Sequence, residues 1–314
     1  MEQPTDEKRG REVTKLYVLS PLINFASDSA EIKLSENLTI TLPSNEEKRI
    51  IKEDSSSSVL SHLRVLYEWQ FVIRSVIHLR MEEDQLAEDN HDFQSGPYRC
   101  CTALRLLKEG TVRLGPQYLI VYPPLKLVTK LGRANTFSYD TWGKYCLAID
   151  EVPQFKELYS LVSHLDSPKY QKIKVALLRF DFSYNIGLLY QLIDLMIAFE
   201  ALYIADDKEL GYKMAARSSF LLGETPEQRN RIFLILKKAY DLRGKVVHGG
   251  DLPDRIEISK GSQLSSLEFA SEIRGFLRHS IKRFIKLLDS YSHKQLLETY
   301  LDRNIMSGGS LLKQ

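Results

Sequence analysis

Leu192-Ile-Asp-Leu-Met-Ile-Ala-Phe-Glu-Ala-Leu202 decides how this chain folds. Leu188, Leu189, Leu192, Ile193, Met196, Ile197 and Leu202 recur at helical spacing, so the segment is a helix that is apolar nearly all round. Such a helix is central in its domain, with other helices around it. Gln191, Asp194 and Glu200 interrupt the longer run from Leu188 to Ile204, which falls short of a membrane span, and no membrane partner is expected.

The segments that follow keep the 3.6-residue period. A second helix is expected from about Glu209 to Leu222, stopping at Gly223. A third starts at Pro226, a residue suited to a first helical turn, and runs through Ile232, Phe233, Leu236 and Tyr240 to Val247. Gly249-Gly250 supplies a left-handed cap for its end. Beyond a polar connector with Pro253, Gly261 and Ser262, a fourth helix spans Ser265–Leu288, and a short last one lies near Lys294–Asp302. Four or five amphipathic helices with short links make a bundle.

The first 150 residues have another texture, with short β-branched or aromatic runs between polar breaks. Candidate strands are Lys15–Leu19, Ala30–Leu34, Leu38–Leu42, Val65–Ile77 and Tyr118–Tyr122. In the fourth, Tyr67, Trp69, Phe71 and Ile73 alternate with Glu68, Gln70 and Arg74, a period of two, although a helix also fits. Asp54-Ser-Ser-Ser-Ser58 and the acidic stretch Met81 to Ser95 read as breaks, the second as a solvated loop. The fold class is therefore α+β. A β-rich N-terminal domain (1–150) is followed by a linker with a short amphipathic helix (151–171, with Phe155–Leu165), a helical bundle (172–302) and a flexible tail (303–314).

Composition narrows the function classes. The 314-residue chain has a formal net charge of +2, so any nucleic-acid case rests on local patches. Cys100, Cys101 and Cys146 form neither a disulfide framework nor a metal-ligand set, and the histidines lack metal-ligand spacing. No metal site and no cofactor are expected, and no phosphate-binding glycine loop is present. The N-terminus is charged and has no apolar signal region, which reads as a cytoplasmic protein.

Tyr240-Asp-Leu-Arg-Gly-Lys-Val-Val-His-Gly-Gly250 carries the chemistry. His248 falls where carbonyl ends give a helix partial negative charge, which favours protonated imidazole and suits a general acid or base near neutral pH. The forked donors of Arg243 suit a phosphate. Together they could help a ribose 2′-hydroxyl attack its neighbouring phosphodiester. The competing reading is structural, with Arg243 paired to a carboxylate and His248 capping the helix.

Arginine, four residues and histidine at a helix end, followed by glycine, resemble the R-x4-6-H motif of HEPN domains. The surroundings resemble the ApeA-like branch of that superfamily over residues 172–302: Leu192–Leu202, then Met214-Ala-Ala-Arg-Ser218, Ala239-Tyr-Asp-Leu-Arg243, Val247-His-Gly-Gly250, and the closing helix with Ile273-Arg and Leu277-Arg-His. More loosely, Pro21-Leu22, Ile40-Thr-Leu42 and Ala103–Gly110 resemble the β-rich region preceding the domain in that branch. The resemblance implies a homodimer whose two motifs face each other across a two-fold axis. It also implies either a metal-independent endoribonuclease of a toxin or antiviral defence system, or a module that binds RNA or a nucleotide without cutting. Active members often have a polar residue after the arginine, whereas this chain has Gly244, which either lowers activity or leaves room for substrate.

Glu200 sits in an otherwise apolar helix, where an unpaired carboxylate is costly, so pairing with Arg217 or Arg243 is expected to fix the arginine's direction. Asp241 points about 200° away from Arg243 on the helix and is expected to face solvent. Arg274, Arg278, Lys282 and Lys286 recur every four residues and, with Lys245, are candidates for contacts to an RNA backbone. The alternative for the stripe is an ordinary solvated helix face.

Overall fold

The computed structural model describes residues 15–56, 70–77, 91–122, 125–131, 144–184, 187–205 and 208–307. The fold is α+β: an antiparallel sheet in the N-terminal region and a bundle of helices after it. The chain divides into two compact units.

The first unit holds the strands β1 (Lys15–Ile23), β2 (Phe25–Ser27), β3 (Glu31–Lys33), β4 (Leu38–Thr41), β5 (Phe71–Ile77), β6 (Arg113–Leu114), β7 (Gln117–Tyr122), β8 (Lys126–Leu131) and β9 (Tyr145–Leu147). Seven of them form one sheet in the order β3-β4-β5-β1-β7-β8, with β6 also pairing β1. β1 is central, its Leu19 opposite Arg74 of β5 on one side and Tyr118 of β7 on the other. Helix α1 (Asn45–Ser56) packs Ile50 and Ile51 against Tyr17, Leu19, Val72, Tyr118 and Ile120. A capping box starts it, since Ser44 Oγ accepts from the Glu47 amide and the Glu47 carboxylate accepts from the Ser44 amide. Glu47 also takes Arg74 of β5 at 2.8 Å, tying the helix start to the sheet.

The five expected strands are found, with shifted ends, as β1, β3, β4, β5 and β7. Residues 65–69 of the fourth lie outside the described residues. Two expected breaks are corrected. Asp54 to Ser56 belong to α1, and the acidic loop from Met81 gives way at His91 to helix α2 (His91–Leu107), which also carries Ala103–Leu107. The rest of the acidic stretch, 81–90, lies outside the described residues.

The second unit gathers Arg99–Thr111 and Pro153–Gln314. Its helices are α3 (Val152–Ser163), α4 (Gln171–Phe182), α5 (Leu188–Tyr203), α6 (Leu210–Leu222), α7 (Pro226–Val247) and α8 (Ser266–Leu287). A last segment joins α9 (His293–Gln295), a π-helical stretch Leu296–Asp302 and α10 (Arg303–Met306), so helix continues into the expected tail, while 308–314 lie outside the described residues. α5 packs against α4, α6, α7 and α8, the central place its apolar sequence requires. Leu192, Leu195, Met196, Ala198, Phe199 and Leu202 are buried there.

α7 and α8 each begin with a capping box, Thr225 with Gln228 and Ser265 with Glu268. The polar connector between them is a hairpin, β10 (Arg255–Ser259) with β11 (Ser262–Ser265), which places Gly261 at a φ of +82°. Ile256 is the hairpin residue buried in the core, where β10 meets α7 and α8.

Candidate functional site

α7 ends in a Schellman motif. The Gly250 amide donates to the Lys245 carbonyl at 2.9 Å and the Gly249 amide to the Val246 carbonyl at 3.0 Å. Gly249 has a φ of +86°, the left-handed region where a side chain is strained. His248 is the residue just before that turn, exposed, with its own amide bonded back to the Gly244 and Lys245 carbonyls. The cap thus holds the imidazole at the open end of the helix, in reach of solvent. Lys245 and Asp241 are exposed beside it.

Arg243 lies one turn inside. Its Nη2 stands 3.6 Å from Oε2 of Glu200 on α5, with the two side chains 28% and 23% exposed. That separation is an ion pair rather than a hydrogen bond. The Nε atom of Arg243 is buried and takes no hydrogen bond among the described residues. A guanidinium carries five N–H donors; the buried Nε is out of reach, so the partly exposed end of the side chain is what an anion could meet, while Glu200 fixes its direction. A Cβ built on Gly244 would meet nothing within 4 Å, so open space lies next to the arginine.

Five residues of helix put Arg243 and His248 about 140° apart around the axis and about 7.5 Å apart along it. The two side chains therefore leave the helix in different directions.

Of the two partners expected for Glu200, Arg243 is the one observed. Arg217 is committed elsewhere: Nε and Nη2 fork onto the Asp302 carboxylate at 2.8 and 2.7 Å, and Nη1 donates to the Tyr203 carbonyl at 2.6 Å. It clamps the end of α5 to the π-helical stretch and does not support the motif directly. His293 assists there, its Nε2 donating to the Leu202 carbonyl at 2.8 Å.

The four-residue basic stripe is corrected as well. Arg274 and Arg278 are buried. Arg274 donates to Gln191 Oε1 at 2.6 Å and lies 4.8 Å from the centre of the Tyr184 ring. Arg278 donates to the Arg105 carbonyl at 2.7 Å and to the Tyr184 hydroxyl at 3.2 Å. Arg105, from α2, lies 4.4 Å from the same ring and pairs with Asp181 at 2.9 Å. These arginines gather α2, α4 and α8 around Tyr184. Of the stripe, Lys286 is exposed and Lys282 is half-buried.

Tyr184, Arg105 and Asp302 went unsuspected because each gains its role from partners far away in sequence. Among the described residues no group of three or more His, Cys, Asp or Glu side chains is placed to hold a metal ion. Nor is any helix among them long and apolar enough to cross a membrane. No family model, curated protein or solved structure matches the chain.

Proposed function

We propose that the chain is an endoribonuclease of the HEPN type acting through Arg243 and His248. The observation that carries this reading is an exposed histidine on a Schellman-capped helix end, five residues from a partly exposed arginine that is aimed by Glu200. In the proposed step His248 accepts the proton of a ribose 2′-hydroxyl as the oxygen attacks the adjacent phosphorus. Arg243 neutralises the charge that develops on the phosphoryl oxygens. The bond from phosphorus to the 5′-oxygen then breaks, that oxygen takes up the proton from the protonated imidazole, directly or through water, and a 2′,3′-cyclic phosphate remains. The step needs proton transfer and charge stabilisation from side chains and no cofactor.

The wide angular separation of the two residues favours a homodimer, in which groups from two copies converge on one substrate. Val247, 54% exposed between them, offers apolar surface for that pairing. A role in antiviral defence or as a toxin is what the same family resemblance implies. Cleavage of RNA in the presence of EDTA, lost in Arg243→Ala and in His248→Ala, tests the reading. Salt-dependent binding of RNA without products would instead mark a non-catalytic binding module, for which the glycine after the arginine is the favouring feature.

A further inference from the structure

Lys282 on α8 is half-buried, and the charges that act on it are cations. Burial is the largest influence lowering its pKa, and repulsion by Arg278 and Lys286 adds to it. His279 is exposed on the same helix, and cations act on it too. Burial lowers its pKa first, then Lys282, Arg278 and Arg283, against a hydrogen bond to the Gly275 backbone. No carboxylate stands among these influences, and no ion pair to His279, Lys282 or Lys286 is found among the described residues.

Steps of three and four residues put His279, Lys282 and Lys286 on one face of α8. Gly275 extends that face, since a Cβ there would meet nothing within 4 Å. The neighbouring arginines turn elsewhere: Arg278 inward to the Arg105 carbonyl, and Arg283 to the Leu221 carbonyl at the end of α6. Successive turns of a helix are about 5.4 Å apart, so Lys282 and Lys286 stand one turn from each other, with the His279 ring N–H a further turn along. Like charges held together without a counter-charge destabilise the fold. A bound chain of phosphodiesters supplies the missing negative charge.

We propose that His279, Lys282 and Lys286 form a phosphate-binding face that holds the backbone of single-stranded RNA. It rests on the reading of RNA as this protein's ligand. It also replaces the four-residue stripe by a different set, without Arg274 and Arg278.

The test uses the full chain and a labelled 2′-O-methyl oligoribonucleotide, which cannot be cut, with the dissociation constant measured from 50 to 200 mM salt. Two phosphate contacts on a single strand contribute about 1.4 to the slope of log K against log salt, equivalent to about a 7-fold loss of affinity across that range. Lys282→Gln/Lys286→Gln is expected to remove that much of the slope, and Lys282→Arg/Lys286→Arg to restore it. Should the double variant not fold, Lys286→Gln alone, at an exposed site, removes about half as much. An unchanged slope in the folded glutamine variants overturns the inference, and so does a wild-type chain that does not bind the oligonucleotide. Cleavage of ordinary RNA by wild type and His248→Ala, run in parallel, judges the nuclease reading separately.

Discussion

Nη2 of Arg243 stands 3.6 Å from Oε2 of Glu200, joining an acid in the last turn of α5 to the motif arginine on α7. The pair is partly exposed and too long for a hydrogen bond, so its contribution to stability is small. Its consequence is direction: it turns the guanidinium toward the last turn of α5.

Glu200→Gln removes the charge and keeps the shape. Stability is expected to change by less than about 1 kcal/mol, as for other exposed pairs. The cleavage rate is expected to fall about tenfold or more, because a misdirected group loses its alignment with the reacting phosphate. Denaturant unfolding and single-turnover cleavage check the two halves. A large stability loss with unchanged turnover would make the contact structural only.

Gly244→Ala adds a methyl group where no neighbour lies within 4 Å. A glycine inside a helix costs about 0.5–1 kcal/mol relative to alanine, so the substitution is expected to stabilise by that amount. Urea unfolding measures it. If turnover drops in the more stable variant, the space beside Arg243 is used by substrate.

Asp302→Ala leaves the buried guanidinium of Arg217 with the Tyr203 carbonyl as its remaining partner. An expected loss of about 2 kcal/mol follows from unsatisfied charged donors. Thermal unfolding checks it, and retained RNA binding at low temperature separates the clamp from the motif.

Acid weakens the bundle through its histidines. Burial chiefly holds His293 below the ordinary histidine pKa, partly offset by its hydrogen bond to the Leu202 carbonyl. Burial and then Lys282 do the same for His279. A lowered folded-state pKa means that the unfolded chain takes up the proton first. Stability is therefore full above the unfolded value of about 6.5 and declines as pH falls below it. Urea midpoints between pH 8 and 5 follow this decline, and His293→Gln is expected to flatten it.

Much of the fold was legible because its signals are local. Pro226 at the start of α7, the double glycine after it, and the unbroken apolar face of α5 each mark an element with residues a few positions apart. The β10–β11 hairpin was not legible because its apolar residues are few, Ile256 and Ile258 on one strand and Leu264 on the other. α2 was hidden because its first residues continue an acidic, polar stretch and Pro97 lies inside it. At the site, the spacing of Arg243 and His248 and the need of Glu200 for a cation were readable. The direction of Arg274 and Arg278 was not, since a four-residue period gives one helix face without saying which neighbour covers it. Tyr184 from the end of α4 and Gln191 from α5 settle that inward direction.

The nuclease account stands most directly on one assay: purified chain with single-stranded RNA in excess EDTA, comparing wild type with Arg243→Ala and His248→Ala that retain the wild-type unfolding midpoint. The account predicts cleavage by wild type and its loss in both variants. Intact RNA at high wild-type concentration, or equal cleavage by His248→Ala, would contradict it.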